Sequence, residues 1–170
     1  GIHGPDWICR QKATEGSVST RRLSEGQRAV LFAGEYQGNV DSRGRIAIPT
    51  AFAEALSGEV VVARGFERCV AVYSAEGWER IAAEIRDLPS TNAETRQLAR
   101  FIFASANAQQ ADRQGRLQLP RTTLDYAGIV RDVVVLGTGD AVEVWDREAW
   151  ASELGALPDR VSDAGQGRAA

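Results

Sequence analysis

One stretch of this chain occurs twice, and it limits what the chain can fold into. Val40-Asp41-Ser42-Arg43-Gly44-Arg45-Ile46-Ala47-Ile48-Pro49 returns as Ala111-Asp112-Arg113-Gln114-Gly115-Arg116-Leu117-Gln118-Leu119-Pro120, at an offset of 71 (112 − 41). Both copies read Asp-x-x-Gly-Arg-apolar-x-apolar-Pro. Four unlike residue types and two apolar positions do not fall into register by accident. The fold is therefore expected to be built in duplicate, and whatever the stretch does is expected to be done twice.

Each copy carries the chemistry of a hairpin. Asp41 and Asp112 can accept from nearby amides in an Asx-turn, while Gly44 and Gly115 supply a positive φ. Arg45-Ile46-Ala47-Ile48 suits a strand returning from that turn. Pro49 ends it, because the residue before proline is held extended and proline suits the first position of a helix.

The first unit reads as a strand at Tyr36–Val40, the turn, the returning strand, and a short helix with Phe52, Ala55 and Leu56 inward. Ser57-Gly58 closes that helix. Strands at Val60–Ala63 and Val70–Tyr73 follow, joined through Arg64–Arg68. Ser74 then caps a helix whose stripe is Trp78, Ile81, Ala82, Ile85 and Leu88, and Pro89 stops it. The second unit opens with a capping box at Thr91-Asn92-Ala93-Glu94 and a helix with Leu98, Phe101 and Ile102 inward. A weak strand at Asn107–Gln110 leads into the second signature, a helix stopped by Gly128, and strands at Val133–Leu136 and Val142–Trp145. Gly137-Thr138-Gly139-Asp140 is expected to turn between them. Asp146 caps the last helix, with Trp150 and Leu154 inward. Trp78 and Trp150 are 72 apart (150 − 78), so the repeat reaches well beyond the signature. The class is mainly β with short helices, an α+β chain.

Charge and composition exclude several functions. Net charge is −3, so nucleic-acid binding would need a local basic patch rather than an overall positive coat. From residue 30 onward 15 basic and 20 acidic residues give 15 − 20 = −5. The only histidine is His3, which leaves no histidine-based triad. Cys9 and Cys69 stand far apart without zinc spacing or a disulfide framework, and Cys69 reads as a small buried hydrophobe. No cofactor or metal motif is present. No apolar run approaches the roughly 18 residues of a membrane span, and the N-terminus lacks signal-peptide order. The chain reads as cytoplasmic.

The expected organisation is a disordered leader at 1–30, repeat domains at 31–90 and 91–155, and a disordered tail at 156–170. Gly16–Thr20 with Arg21-Arg22 reads as a mobile arm, and the arginines are a candidate DNA-tracking element. The sequence holds no methionine, and valine and leucine codons can start bacterial proteins. Native translation is accordingly expected to begin at Val30 or Leu31.

Phe32-Ala33-Gly34-Glu35-Tyr36, the two Asp-x-x-Gly-Arg turns and Arg64-Gly65-Phe66 together resemble the MraZ family of bacterial regulators, which carry two SpoVT-AbrB-like domains. The resemblance spans roughly Leu31 to Leu154. It implies tandem swapped-hairpin halves forming one pseudo-two-fold β-barrel with peripheral helices. It also implies a homo-oligomeric ring, and transcriptional control through double-stranded DNA with direct repeats upstream of the division and cell-wall gene cluster. The family's Asp-x-x-x-Arg signature falls on Asp41 with Arg45 and on Asp112 with Arg116. This chain has Arg43 where many members have lysine, and Gln118 interrupts the apolar residues of the second copy, so the first copy is the cleaner match.

Arginine at the base of a tight turn can be held by the carboxylate four residues earlier, which lowers the ordering cost of binding a phosphate or a guanine edge. Arg45 and Arg116 are the candidate DNA-binding residues at the base of the turns, Arg43 and Arg113 those within them. Asp41 and Asp112 are the positioning residues. Two other classes compete. An enzyme using Asp41 and Asp112 as paired carboxylates is disfavoured, because adjacent arginines lower a carboxylate pKa, the wrong direction for a general acid. An AbrB-like protein-interaction or antitoxin-type module usually has one such domain and a toxin-binding tail, whereas here the doubled domain fills the chain.

Overall fold

A computed structural model describes residues 31–166. The mobile arm, the Arg21-Arg22 element, Cys9, His3 and a start at Val30 lie outside the described residues.

The first unit gives β1 (Phe32–Asn39), β2 (Arg45–Ala47), α1 (Thr50–Ala53), β3 (Glu59–Arg64), β4 (Val70–Ser74) and α2 (Ala75–Asp87). The second gives α3 (Ala93–Phe103), β5 (Asn107–Gln110), β6 (Arg116–Gln118), α4 (Arg121–Ala127), β7 (Asp132–Gly139), β8 (Val142–Asp146) and α5 (Arg147–Gln166). Every ladder is antiparallel, in a six-stranded sheet of order β1-β7-β8-β4-β3-β5 and a two-stranded β2-β6 sheet. The class is mainly antiparallel β with short helices.

The ladders carry the repeat into three dimensions. β1 pairs with β7 of the second unit, and β5 pairs with β3 of the first, so the two opening strands are exchanged. Their registers are mates: Asn39↔Asp132 becomes Gln110↔Glu59 on adding 71 to one strand and subtracting 73 from the other. Two positions face their own mates, Ile46↔Leu117 and Ala71↔Glu143, with offsets of 71 (117 − 46) and 72 (143 − 71). A pseudo-two-fold axis therefore passes between the members of both pairs. The offset changes because the step from Pro120 to Val133 (133 − 120 = 13) is two longer than that from Pro49 to Val60 (60 − 49 = 11), and the step from Val133 to Val142 (142 − 133 = 9) is one shorter than that from Val60 to Val70 (70 − 60 = 10).

The core lies between the six-stranded sheet and the β2-β6 pair. Ile46, Leu117, Leu119, Val62 and Val135 fill it with Phe32 and Phe52, all at most 4% exposed. Complete burial of a Leu, Ile or Phe side chain contributes about 1.5–3 kcal/mol. Phe52 receives Phe32 and Tyr36 edge-on at 5.5 and 5.2 Å. On the sheet's other side the repeat places the same device twice. Tyr73 packs on Trp78 at 5.7 Å and 55°, and Trp145 packs on Trp150 at 5.5 Å and 56°.

Local chemistry sets most boundaries. Ser74 Oγ accepts from the Gly77 amide at the start of α2, and Asp146 Oδ1 accepts from the amides of Glu148 and Ala149 at the start of α5. Gly128 ends α4 at φ 67°. Elsewhere tertiary pairing wins. β1 begins at Phe32 rather than Tyr36, because it pairs along its whole length with β7. For the same reason Gly137–Gly139 belong to β7 instead of a four-residue turn, and the chain reverses at Asp140-Ala141, with Thr138 N donating to Ala141 O. At Gly137 a Cβ would fall 2.3 Å from Ala33 N, so the two backbones meet where only glycine fits.

The capping residue of α3 is Asn92, whose Oδ1 accepts from Glu94 N, rather than Thr91 of a capping box. Leu88 and Leu154, expected on inward faces, are 42% and 47% exposed. α5 continues to Gln166 through Pro158, past residue 156 where composition suggests disorder. Ala156 and Leu157 are half-buried and Arg160 pairs with Glu153, giving this segment contacts that its composition does not display. Among the described residues no helix is long and apolar enough to cross a membrane.

Candidate nucleic-acid interface

Both signature turns close in the same way. Asp41 N donates to Arg45 O and Gly44 N to Asp41 O, each at 2.9 Å; Asp112 N donates to Arg116 O at 2.8 Å and Gly115 N to Asp112 O at 2.9 Å. Gly44 and Gly115 take φ values of 78° and 72°, a region that disfavours side chains.

The aspartates then organise the arginines. Asp41 Oδ1 accepts from the amides of Arg43 and Arg45, both at 2.9 Å, while Oδ2 accepts from Arg45 Nε at 2.9 Å with Nη2 at 2.8 Å. Asp112 repeats this toward the amides of Gln114 and Arg116 at 2.9 and 3.0 Å and toward Arg116 Nε at 2.9 Å. One carboxylate thus fixes both the backbone of its turn and the direction of one guanidinium. Arg45 and Arg116 side chains remain 24% and 28% exposed. Arg43 and Arg113 are exposed within the turns and form no ion pair among the described residues.

The two turns also hold each other. Ile48 N donates to Gly115 O at 3.0 Å, and its mate Leu119 N donates to Gly44 O at 2.8 Å. Arg45 Nη1 lies 3.8 Å from Asp112 Oδ2. The β2-β6 pairing therefore brings the two turns side by side across the pseudo-two-fold axis, with Arg45 and Arg116 at their bases and Arg43 and Arg113 exposed within them.

The electrostatics suit ion pairing, not proton transfer. The Arg45 amide, with the Arg45 guanidinium and the Arg43 amide, holds the Asp41 carboxyl down at about 2, outweighing partial desolvation. The Arg116 amide, with the Arg116 side chain and the Gln114 amide, lowers Asp112 likewise. Both stay ionised at neutral pH, which removes them as general acids. Cys69 is buried, its thiol donates to Phe66 O, and burial pushes its pKa up, so it is a poor nucleophile. Among the described residues no cluster of His, Cys, Asp and Glu could hold a metal ion.

Three features escape a reading of the sequence. Gln118 donates from Nε2 to Arg43 O at 2.8 Å and Gly44 O at 3.2 Å, crossing from the second unit to the first turn. Gln109 and Gln118 pair reciprocally: Gln118 N donates to Gln109 Oε1 at 2.9 Å and Gln109 Nε2 donates to Gln118 O at 2.7 Å. Both look like ordinary polar strand residues in sequence; only the repeat alignment, which sets them against Gly38 and Ala47, marks them. The third is Tyr126, whose hydroxyl donates to Gly65 O and accepts from Arg68 N, bracing a loop where Glu67 and Arg68 have positive φ.

Comparison with known proteins agrees with the doubled architecture. The family model for MraZ protein, described as antitoxin-like, matches residues 31–101 and again residues 102–157. The transcriptional regulator MraZ of Acetivibrio thermocellus is 40% identical over 125 residues, 74% of this chain and 87% of the relative. That of Syntrophomonas wolfei is 42% identical over 120 residues, 71% and 84% respectively. That of Salinispora arenicola is 39% identical over 137 residues, 81% and 96%.

Proposed function

The chain belongs to the MraZ family of transcriptional regulators, a non-enzymatic family, and from that premise we propose that it binds double-stranded DNA through the paired Asp41 and Asp112 turns. The observation that carries this reading is the duplicated clamp. Each carboxylate holds its turn and its arginine in the same geometry, and β2-β6 pairing sets the two side by side. Guanidiniums fixed before contact lose less freedom on binding phosphate or a guanine edge. Arg43 and Arg113, exposed in the turns, take phosphates; Arg45 and Arg116 sit at their base.

An acidic chain reaches DNA this way by concentrating its basic turns. A homo-oligomeric ring presenting several such patches on one face holds DNA bearing direct repeats by avidity, without strong binding by any one subunit. The DNA target is the region upstream of the chain's own operon, the division and cell-wall gene cluster, which places the protein in the cytoplasm at the nucleoid. The folding units are the 31–90 and 91–155 repeats, interlocked by strand exchange.

The experiment is titration of the purified chain against duplex DNA from its own upstream region over a range of salt. Retention of that DNA over unrelated duplex, with affinity falling as salt rises, is the expected result. Failure to bind any duplex, with capture of a protein partner instead, would favour the antitoxin-type module.

A further inference from the structure

The two turns are equal in backbone but not in surroundings. Beside the first lies a cleft of about 590 Å³ whose walls include Arg45, Arg116, Asp41 and Asn39, with Gly38 and Ala47 among its lining residues. The repeat mates of Gly38 and Ala47 are Gln109 (38 + 71) and Gln118 (47 + 71). Where the first unit has no side chain beyond a methyl group, the second has two long amides: that of Gln109 bonds to the backbone N–H and carbonyl of Gln118, and that of Gln118 reaches across to donate to the Arg43 and Gly44 carbonyls. Two positions that line the open cleft on one side of the axis therefore carry long, hydrogen-bonded side chains on the other. Thr50 is likewise matched by Arg121, but that guanidinium is tied to Asp125 at 2.8 Å.

From this asymmetry we infer that the Gly38–Ala47 cleft seats the phosphate backbone of one DNA strand, and that Gln109 and Gln118 deny the equivalent seat to the other, so each subunit lies on DNA with a single polarity. A fully two-fold patch would meet a duplex identically in either direction. Here Arg45 and Arg116 both line the open cleft; each is held by one carboxylate, Asp41 or Asp112, and each keeps part of its guanidinium exposed for a phosphate strand. The closed side offers neutral amides whose donors are in use. Gln109 and Gln118 act as positioning residues that set polarity. The inference rests on the DNA-binding reading above.

The test uses the full-length chain and a duplex that it selects from a randomised pool, mapped by phosphate ethylation interference. The wild type is expected to show interference concentrated on one strand at each subunit's site. Gln109→Gly with Gln118→Ala is expected to bring the two strands toward equality. Gly38→Gln with Ala47→Gln, which fills the first cleft instead, is expected to weaken binding about tenfold. Ala47 is exposed, and a Cβ at Gly38 meets Val133 Cγ2 at an ordinary 3.6 Å, so this second variant should fold even if the first is impaired. Equal interference on both strands in the wild type, or undiminished strand bias in a folded Gln109→Gly/Gln118→Ala variant, would overturn the polarity inference while leaving DNA binding standing. Selection of no duplex at all would instead remove the DNA-binding reading and this inference with it.

Discussion

Arg45 stands 2.8 Å from the carboxylate of its own Asp41 and 3.8 Å from that of Asp112, so the arginine of the first turn answers to both aspartates. The turns are therefore expected to respond to substitution as one electrostatic unit. A double-mutant cycle on Asp41→Asn and Asp112→Asn, read by thermal unfolding, should show non-additive losses. Strict additivity would mean that the 3.8 Å approach carries no energy.

The pH response of the clamp has a defined sign. The folded Asp41 carboxyl, at about 2, lies below its unfolded value near 3.9. Its stabilising contribution is thus complete above roughly pH 4 and is lost as pH falls toward 2. The stability gap between wild type and Asp41→Asn should be constant from neutral pH to about 4 and should narrow below it. A gap that widens on acidification would contradict the assignment.

Leu117 meets its mate Ile46 on the pseudo-two-fold axis, and both are nearly fully buried. Leu117→Ala should destabilise the fold by about 2–5 kcal/mol, measured by denaturant unfolding. Both hairpins should lose rigidity together, since they share that contact.

Gly137 lies where β7 touches the start of β1. Gly137→Ala places a methyl group 2.3 Å from Ala33 N and must displace the exchanged strand, at a cost of about 1–3 kcal/mol. Amide hydrogen exchange should quicken first over Phe32–Glu35. Unchanged protection there would argue against the observed β1-β7 register.

Removing the Tyr126 hydroxyl strips the 65–68 loop of two hydrogen bonds. Tyr126→Phe should lower stability by about 1–2 kcal/mol. DNA affinity should hold, because the hydroxyl touches none of the four arginines of the patch.

What was legible in the sequence is what depends on near neighbours. Asp41 with Gly44, and Asp112 with Gly115, specify their turns locally; Ser74 and Asp146 specify their caps; and the recurrence of Trp78 as Trp150 reveals the duplicated packing. What was not legible depends on residues far along the chain. β1 gains four residues at its start from a partner strand about a hundred residues away (139 − 32 = 107), and that partner turns an apparent Gly137–Asp140 loop into strand. Leu154 has helical spacing from Trp150 yet is 47% exposed, while Glu153, Ala156 and Leu157 of the same helix are the half-buried ones. Gln118 looks like an interruption of an apolar pattern until β2-β6 pairing sets its amide against the first turn. The arginine clamp was readable because it spans four residues, whereas the closed second cleft required knowledge of which strands meet.

In the proposed function the clamped arginines carry DNA recognition. The most direct measurement is the affinity of the Arg45→Ala/Arg116→Ala chain for a duplex selected by the wild type, with the mass of the assembly determined in parallel. Specific binding is expected to fall by at least about a hundredfold in a chain that folds and assembles as the wild type does. Unchanged affinity in an intact assembly would contradict it.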